Sequence, residues 1–357
     1  MVGRPGESRQ VDSEHEWTRL VDGKILAKWL EKEGLGNSTI DDVEALAGGT
    51  QNVLIGFTHN GKRLVLRRPS ANPRPGANRT MEREARMLAA LAGCDVPHPR
   101  LIAACTDAQL LGTAFYVMEA VDGFNATQGL SDLHSSAPVQ HEMGLALVDA
   151  IVALGEVDHH AVGLGDFGKP ENFLQRQVAR WSDQLESYSS FPDWAGPKGL
   201  PHVARIAKWL ESNRPPEARP GILHGDYHLA NVMYRHDGPQ LAAVIDWELT
   251  TIGDPLLDLG WLLATWPGED IPIPSTLDIQ PWVGFPTGDE LVSRYASKSE
   301  RDLSAMDWYT VLACYKLAII LEGTNARASA GKADPQTAVS LHQGAVGLLT
   351  RANNISS

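Results

Sequence analysis

Cysteine is scarce in this chain, and its scarcity excludes two kinds of structure. The 357 residues include three cysteines, Cys94, Cys105 and Cys314. Three widely separated thiols provide neither a disulfide framework nor a cysteine-type zinc site. Each lies among apolar residues, so we expect small buried side chains. This composition indicates a reducing, cytoplasmic environment.

Long apolar runs are also missing. No stretch approaches the ~20 apolar residues that a membrane-spanning helix needs. Residues 1–17 are polar and charged and have no apolar segment of the signal-peptide kind. The 44 acidic against 31 basic residues give a net charge of -13, which disfavours nucleic acid and anionic membranes and attracts cations. We expect a cytoplasmic protein that binds neither nucleic acid nor membrane, and the sequence leaves its oligomeric state open.

The length predicts more than one lobe, because a single hydrophobic core rarely serves 357 residues. A hydrophobic fraction of 43% with 21% charged residues is typical of globular proteins. We expect a flexible N-terminus over 1–16 and a first lobe over 17–118. A hinge at 119–123 and a second lobe over 124–357 follow.

The first lobe has the pattern of a small sheet with a helix against it. Asn60-Gly61 separates two apolar runs and is a strong signal for a β-hairpin. An amphipathic helix is predicted at Trp17–Glu33 and another at 78–92. The predicted strands are 40–46, 53–59, 63–68, 100–105 and 114–119.

The second lobe is mainly helical in pattern, which makes the fold class α+β. The predicted helices are 139–155, 170–189, 200–212, 256–266, 289–297 and 304–329. Polar residues concentrate in one segment between them, GILHGDYHLANVMYRHDGPQLAAVIDWELTTIGDPLLD at 221–258.

Within that segment, two apolar runs flank a turn with Asp-Gly chemistry, so a hairpin is predicted over 231–245. A hairpin returns its ends to one edge, which places Asn231 and Asp246 side by side with Asp226 nearby. Carboxylate and amide oxygens are the ligands that a hard cation prefers. The spacing His-Gly-Asp-x-x-x-x-Asn also matches the kinase catalytic loop.

HGDYHLAN followed by VIDWELTTIGDPLLDLGW resembles the aminoglycoside phosphotransferase and choline kinase superfamily, which has a two-lobed protein-kinase-like fold. The resemblance extends from about Ile40 to Arg327. The run GLGDFGKPENFLQRQVARWSDQ at 163–184 is similar to one branch, which includes candidate bacterial aminoglycoside phosphotransferases and kinase domains fused to acyl-CoA dehydrogenases. The resemblance implies an ATP- or GTP-dependent phosphotransferase that uses Mg²⁺ and a small hydroxylated substrate.

The resemblance also implies roles for individual residues. Asp226 would be the catalytic base, and Asn231 and Asp246 would bind magnesium. Asp258 would accept hydrogen bonds from the catalytic loop, which we expect His224 to brace as well.

Nucleotide binding is expected in the first lobe. The loop at 47–52 can present backbone N–H groups to phosphates. The resemblance places the phosphate-binding cation at Arg67, where the wider family has Lys, and its carboxylate partner at Glu84. In the hinge at 119–123 we expect main-chain hydrogen bonds to the adenine ring of the nucleotide. The implied ATP-binding residues are Gly48, Gly49, Thr50, Asn52, Arg67, Glu84, Met118, Glu119 and Val121.

The sequence defines the phosphoryl-acceptor substrate less closely than it defines the nucleotide site. Only eleven residues separate Asp246 from Asp258 and no Ala-Pro-Glu motif occurs, so a small molecule is favoured over a peptide. Candidate pocket residues are His228, Glu248, Arg176, Arg180, Trp282, Glu322 and Arg327. Acidic members of this set suit aminoglycoside ammonium groups, and arginines suit a hydroxy acid or hydroxyacyl-CoA.

Two other classes stay open from sequence. His224-Gly-Asp226-Tyr-His228 is also an H-x-D-x-H pattern, which with Asp246 and Asp254 is compatible with a metal-dependent hydrolase. A catalytically weak nucleotide-binding module is the other alternative.

Overall fold

The computed structural model describes residues 20–46, 52–267 and 278–357. The chain forms two compact units. The first contains residues up to Cys94 together with His98–Asp122, and the second contains Asp95–Pro97 and Gly123–Ser357. The expected flexible N-terminus at 1–16 and the predicted phosphate loop residues Gly48, Gly49 and Thr50 lie outside the described residues.

An antiparallel sheet of five strands forms the first unit, in the order β1-β2-β3-β5-β4. The predicted hairpin between β2 and β3 is confirmed, since Asn60 and Gly61 both have positive φ (50° and 71°), as a tight primed turn requires. The strands are β1 (Asp41–Leu46), β2 (Asn52–His59), β3 (Lys62–Pro69), β4 (Leu101–Cys105) and β5 (Phe115–Glu119).

Helices flank this sheet. α1 (Gly23–Lys32) begins later than predicted, because the side chain of Asp22 accepts hydrogen bonds from the backbone N–H groups of Lys24 and Ile25 and so caps the helix there. α2 (Ala77–Ala90) packs on β3, β4 and β5, as its apolar spacing predicts. A short helix, α3 (Ala108–Leu111), was not predicted.

The second unit is mainly helical, and the predicted α+β class is confirmed. Its predicted helices are all present, although the segment 170–189 contains 3₁₀ turns on either side of a shorter α-helix. The helices are α4 (Ala137–Glu156), α5 (Gln177–Ser187), α6 (Val203–Ser212), α7 (Leu256–Thr265), α8 (Gly288–Lys298), α9 (Met306–Ser329) and α10 (Pro335–Ile355).

Helix α10 is absent from the sequence prediction. Its buried face is largely alanine and its remaining surface is polar, so the amphipathic signal is weak. The cap was readable, because Asp334 accepts from the Thr337 N–H and Pro335 occupies the first turn. α10 packs along α9, whose long apolar surface needs this cover.

Four short strands support the polar segment. β7 (Val232–Tyr234) and β8 (Leu241–Val244) form the predicted hairpin. β6 (Gly221–Leu223) pairs antiparallel with β9 (Thr251–Gly253), a pairing that the sequence did not suggest. Together the two pairs bring 224–231 and 245–250 to neighbouring strand ends.

One helix of the described residues, α4, is long and apolar enough in length and composition to cross a membrane. Much of its surface is buried inside the second unit, where it packs against α8 and β6. Helices of this kind are common in the cores of folded proteins, so α4 is weak evidence of a membrane span.

The crossing of α7 and α9 depends on Gly260. A Cβ at this position would lie 2.7 Å from the backbone carbonyl carbon and oxygen of Tyr309. We predict that Gly260→Ala lowers the free energy of unfolding by about 1–3 kcal/mol, because overpacking against backbone forces the helices apart. Urea denaturation measures the effect.

Gly288→Ala is the matched control. Its Cβ would meet only the flexible Leu263 side chain, at 3.4 Å, at the start of α8. This control should stay within about 1 kcal/mol of the parent. Equal stability of the two variants would contradict the proposed close packing at Gly260.

Candidate active site

The segment after β6 turns sharply at Gly225. This residue has a φ of +86°, and a Cβ would lie 2.5 Å from the Leu249 carbonyl oxygen. Only glycine combines this backbone conformation with so close an approach. The turn places His224, Gly225 and Asp226 in a fixed loop, called the catalytic loop below.

Asp258, in the first turn of α7, holds this loop by its backbone. Its Oδ2 accepts from the His224 N–H at 2.6 Å and its Oδ1 from the Gly225 N–H at 2.8 Å. Burial raises the pKa of Asp258, although His224 and the two N–H donors act in the opposite direction. Both oxygens of this buried carboxyl group are therefore engaged by backbone N–H groups of the loop.

His224 is likewise committed to the loop. Its Nδ1 accepts from the Asp226 N–H at 3.3 Å, so the ring proton is on Nε2, which donates to the Ile245 carbonyl at 2.9 Å. Both ring nitrogens are thus used by backbone groups. This arrangement ties the catalytic loop to the end of β8.

Asp226 lies at the open side of the loop, half-buried. Asn231 Nδ2 donates to its backbone carbonyl at 2.9 Å and to its Oδ2 at 3.1 Å. His228 Nδ1 accepts from the Ala230 N–H at 3.2 Å, which leaves Nε2–H directed at Asp226 Oδ1, 3.4 Å away. Two donors thus orient the carboxylate.

The surroundings of Asp226 favour its ionised form. Burial alone would raise the pKa of Asp226, but the hydrogen bond from His228 and the electrostatic influence of His228, His224 and Lys316 lower it below the ordinary value. The side chain is therefore a carboxylate at neutral pH, positioned to accept hydrogen bonds.

Asn231 and Asp246 occupy neighbouring ends of the β7–β8 hairpin. The Ile245 N–H donates to the Asn231 carbonyl at 2.9 Å, so the residue after Ile245 follows directly on this pair. Asp246 has a left-handed backbone conformation with φ of 65°. The hairpin thus brings the backbone of Asn231 and Asp246 to one edge.

These two side chains fit a hard cation. The amide nitrogen of Asn231 is engaged by Asp226, so its Oδ1 is the atom left as an acceptor. An amide oxygen and a carboxylate suit Mg²⁺, which usually takes its remaining ligands from water and phosphate.

The second unit also contains a buried lysine that sequence reasoning missed. Lys316, on α9, donates from Nζ to the Gly225 carbonyl at 2.7 Å and is 7% exposed. Its Nζ lies 4.3 Å from the ring centroid of Trp261. A single lysine within the apolar run ACYKLAII was the available signal.

In the first unit, the predicted pair of Arg67 and Glu84 is present. Arg67 Nε lies 2.8 Å from Glu84 Oε2, which also accepts from the Tyr116 hydroxyl at 2.8 Å. Both charged side chains are buried, and each compensates the charge of the other.

The remaining predicted nucleotide residues lie at the ends of strands in this unit. Asn52 is the first residue of β2, and Met118 and Glu119 end β5. The Glu119 carboxylate pairs with Arg100, which lowers the pKa of Glu119. Val121 follows, half-buried.

The predicted acceptor residues do not form one group. His228 contacts Asp226, and Glu248 lies in the turn just after Asp246. Arg180 is exposed, with its guanidinium 5.4 Å from the Trp181 ring. Arg176 instead donates to the carbonyls of the 169–171 loop.

Two further candidates make internal contacts. Trp282 stacks on Phe285 at 4.1 Å and meets the edge of Trp266, which is an aromatic packing cluster. The buried Glu322 accepts from Trp194 Nε1 at 2.7 Å, and its other oxygen lies 2.7 Å from His342 Nδ1. Arg327, one turn later on α9, donates to the Thr324 hydroxyl at 2.7 Å.

The geometry disfavours a metal-dependent hydrolase. Over the described ranges 20–46, 52–267 and 278–357, no group of three or more His, Cys, Asp or Glu side chains could hold a metal ion. His224 uses both nitrogens on backbone groups, and Asp254 accepts from the Tyr309 hydroxyl at 2.6 Å and from the Leu256 N–H. Asp254 is therefore a support for the start of α7.

A five-stranded antiparallel sheet unit, a helical unit and an H-G-D-x₄-N loop followed by a hairpin define a kinase-like phosphotransferase. The model of the APH family, the phosphotransferase enzyme family, matches residues 42–277. That is more than half of the chain, so the chain belongs to this family.

Relatives by sequence include acyl-CoA dehydrogenase family proteins. The chain is 30% identical over 329 residues to acyl-CoA dehydrogenase family member 10 of Mus musculus. The alignment covers 90% of this chain and 30% of that protein. It is 28% identical over 341 residues to family member 11 of Homo sapiens, covering 91% of this chain and 41% of that protein. The chain therefore spans less than half the length of these relatives.

Solved structures place the fold among aminoglycoside phosphotransferases. A candidate aminoglycoside phosphotransferase from Ralstonia eutropha has a TM-score of 0.78 and 28% identity, covering 94% of this chain and 98% of that one. A complex of APH(2")-IIIa with GDP and kanamycin has a TM-score of 0.61 at 18% identity, covering 92% and 98%. At 18% identity the second likeness shows the fold alone.

The two hydrogen bonds from the catalytic loop to Asp258 lead to a prediction about stability. Asp258→Asn retains one acceptor oxygen but turns an amide donor toward a backbone N–H. We expect the free energy of unfolding to fall by about 1.5–3 kcal/mol, the usual contribution of hydrogen bonds to a charged group. Urea denaturation of the full chain measures this loss.

The exposed Asp132 provides the matched control. Asp132→Asn removes the same charge without a buried partner and should leave stability within about 0.5 kcal/mol of the parent. If both variants unfold at the same urea concentration, Asp258 does not hold the loop.

Proposed function

We propose that this phosphotransferase moves the γ-phosphoryl group of Mg·ATP to a hydroxyl of a small molecule, with Asp226 as the base. The single observation that carries the proposal is the geometry of Asp226. Its carboxylate is ionised, oriented by Asn231 and His228, and attached to a loop whose backbone is held by Asp258. A positioned, ionised carboxylate is what acceptance of a hydroxyl proton requires.

In the proposed reaction the acceptor O–H donates its proton to Asp226. The acceptor oxygen forms a bond to the γ-phosphorus while the bond from that phosphorus to the bridging oxygen of ADP breaks. Asp226 then carries the proton, and ADP leaves with the electron pair. Asn231 keeps the carboxylate directed while this happens, because its amide donates to Asp226 Oδ2.

Mg²⁺ would be held by Asn231 Oδ1 and the Asp246 carboxylate. When bound, it neutralises charge on the nucleotide phosphates. Arg67, locked by Glu84, would bind phosphate oxygens from the first unit, and the loop at 47–52 and the backbone at 119–121 would bind the rest of the nucleotide. A guanidinium in place of the usual Lys can still contact phosphate through two N–H groups.

For the acceptor we propose a hydroxy acid or its CoA thioester in preference to an aminoglycoside. Among the predicted acidic pocket residues, Glu322 is buried and occupied by Trp194, Asn325 and His342, so it does not face a ligand's ammonium group. The exposed Arg180 is a cation suited to a carboxylate. The relatives named acyl-CoA dehydrogenases, of which this chain spans less than half, support the choice of an acyl-type acceptor.

An ATP-consumption screen tests both parts of the proposal. The full chain is incubated with Mg·ATP and one acceptor at a time from three sets: 3- and 4-hydroxy acids with their CoA esters, amino alcohols, and aminoglycosides. We expect phosphorylated product from the first set. Product from aminoglycosides alone would overturn the acceptor assignment, and phosphate released from phosphoesters without nucleotide would overturn the kinase assignment.

In the same screen, Asp226→Asn should lower the rate of product formation by about 10²–10⁴-fold, since the proton acceptor is lost. Affinity for Mg·ATP should be almost unchanged. Asp237→Asn, in the exposed turn of the β7–β8 hairpin, serves as control and should retain full activity. Near-normal turnover of Asp226→Asn excludes Asp226 as the base.

Asp246→Asn is predicted to weaken magnesium-dependent nucleotide binding. Losing one of two protein ligands should raise the Kd of Mg·AMP-PNP at least about tenfold, equivalent to ~1.4 kcal/mol. Isothermal titration with Mg²⁺ and with EDTA separates the metal-dependent part of binding. Asp237→Asn should titrate like the parent chain, and a Mg²⁺ dependence that survives Asp246→Asn would show that Asp246 is no metal ligand.

A further inference from the structure

A buried ammonium group, that of Lys316, also contacts the catalytic loop. Lys316 is 7% exposed in the middle of α9, among apolar residues. Burying a charged amine costs several kcal/mol unless it is paired and hydrogen-bonded. A lysine at this position therefore has to be compensated by specific contacts.

The first of these contacts is with the peptide group that leads into Asp226. Lys316 Nζ donates to the Gly225 carbonyl at 2.7 Å. That carbonyl and the Asp226 N–H belong to one peptide group, and the N–H donates to His224 Nδ1. The peptide is therefore held at both ends, by a lysine at its oxygen and by a histidine at its nitrogen.

The second contact is with two tryptophan rings. Nζ lies 4.3 Å from the ring centroid of Trp261 and 5.5 Å from that of Trp181. Cations are attracted to the faces of aromatic rings, most strongly to tryptophan and in desolvated sites. Trp261 lies one turn after Asp258 on α7, so the two side chains share a face of that helix.

We propose that Lys316 is a positioning residue for Asp226. It fixes the orientation of the Gly225–Asp226 peptide group and thereby the direction in which the Asp226 side chain extends from the loop. Asp258 holds the peptide before Gly225, and Lys316 holds the one after it, with Trp261 keeping the ammonium in place. The role rests on the proposed function only in that Asp226 is taken as the base.

The charges around Lys316 are consistent with this role. Burial lowers the pKa of Lys316 to about 8, while Asp226 and Asp258 act to raise it and Arg180 to lower it further. At neutral pH the amine is therefore mostly protonated and able to donate.

The test compares three variants of the full chain. Lys316→Met removes the donor and charge at similar volume, Lys316→Arg retains them, and Lys208→Met removes an exposed lysine of α6 as a control. Amide hydrogen exchange is followed over the whole chain, with the peptide that contains 224–229 as the readout. Where the screen yields product, kcat and the KM for Mg·ATP are measured as well.

For Lys316→Met we expect exchange in 224–229 to accelerate by at least about tenfold, with α10 and the first-unit sheet unchanged. We also expect kcat to fall by about 10²-fold, the scale of a misplaced catalytic group, with KM for Mg·ATP within about twofold. Lys316→Arg should recover most of both effects, and Lys208→Met should match the parent.

Three results would overturn the proposal: unchanged exchange in 224–229, acceleration spread evenly over the second unit, or unchanged kcat in Lys316→Met. If Lys316→Met is poorly folded, Lys316→Gln is used with the same criteria. Exchange does not depend on turnover, so a chain that makes no product with any acceptor would refute the kinase assignment while the exchange result still decides the role of Lys316.

Discussion

The carboxylate of Asp258 and the two backbone N–H groups that it binds are the interaction on which the rest of the site depends. A loop between two strand ends has donors that no ladder satisfies, and burying them unpaired is costly. Asp258 satisfies two consecutive ones, at His224 and Gly225, from a helix that is itself embedded in the second unit. The loop thereby takes its rigidity from α7.

Once the backbone is held, the side chains of the loop can adopt few conformations. Both ring nitrogens of His224 are hydrogen-bonded to backbone groups, and this links the loop to the end of β8. The β7–β8 hairpin then determines where Asn231 lies, and Asn231 orients Asp226. Each contact fixes the position of the next group, from the buried helix α7 to the half-buried carboxylate of Asp226.

The same region concentrates buried charge, and its signs alternate. The electrostatic influence of Lys316 lowers the pKa values of Asp226 and Asp258, and these two carboxyl groups act in turn to raise the pKa of Lys316. Opposite charges in close contact stabilise one another's ionised forms. This mutual compensation explains how a loop with so many polar groups can be kept largely away from solvent.

The evidence for family membership and reaction class differs from the evidence for the acceptor substrate. The family model covers residues 42–277 and the fold is shared with aminoglycoside phosphotransferases, but acceptor specificity depends on side chains outside the catalytic motif. Here those side chains are divided among surface contacts, an aromatic packing cluster and a buried carboxylate. Chemistry at the catalytic loop can thus be retained while the acceptor changes.

By itself, the sequence determined the local features. Asn60-Gly61 encodes a tight turn, the apolar periods encode most helices, and the compound motif places Asp226, Asn231 and Asp246 on a loop and a hairpin, because these depend on residues close together in the chain. Only the tertiary structure decided the pairing of β6 with β9, the alanine-faced α10, the engagement of Glu322 and the contact of Lys316 with Gly225. These join residues far apart in sequence, Gly225 and Lys316 by 91 positions, and no local spacing records which distant side chain will reach a given backbone carbonyl.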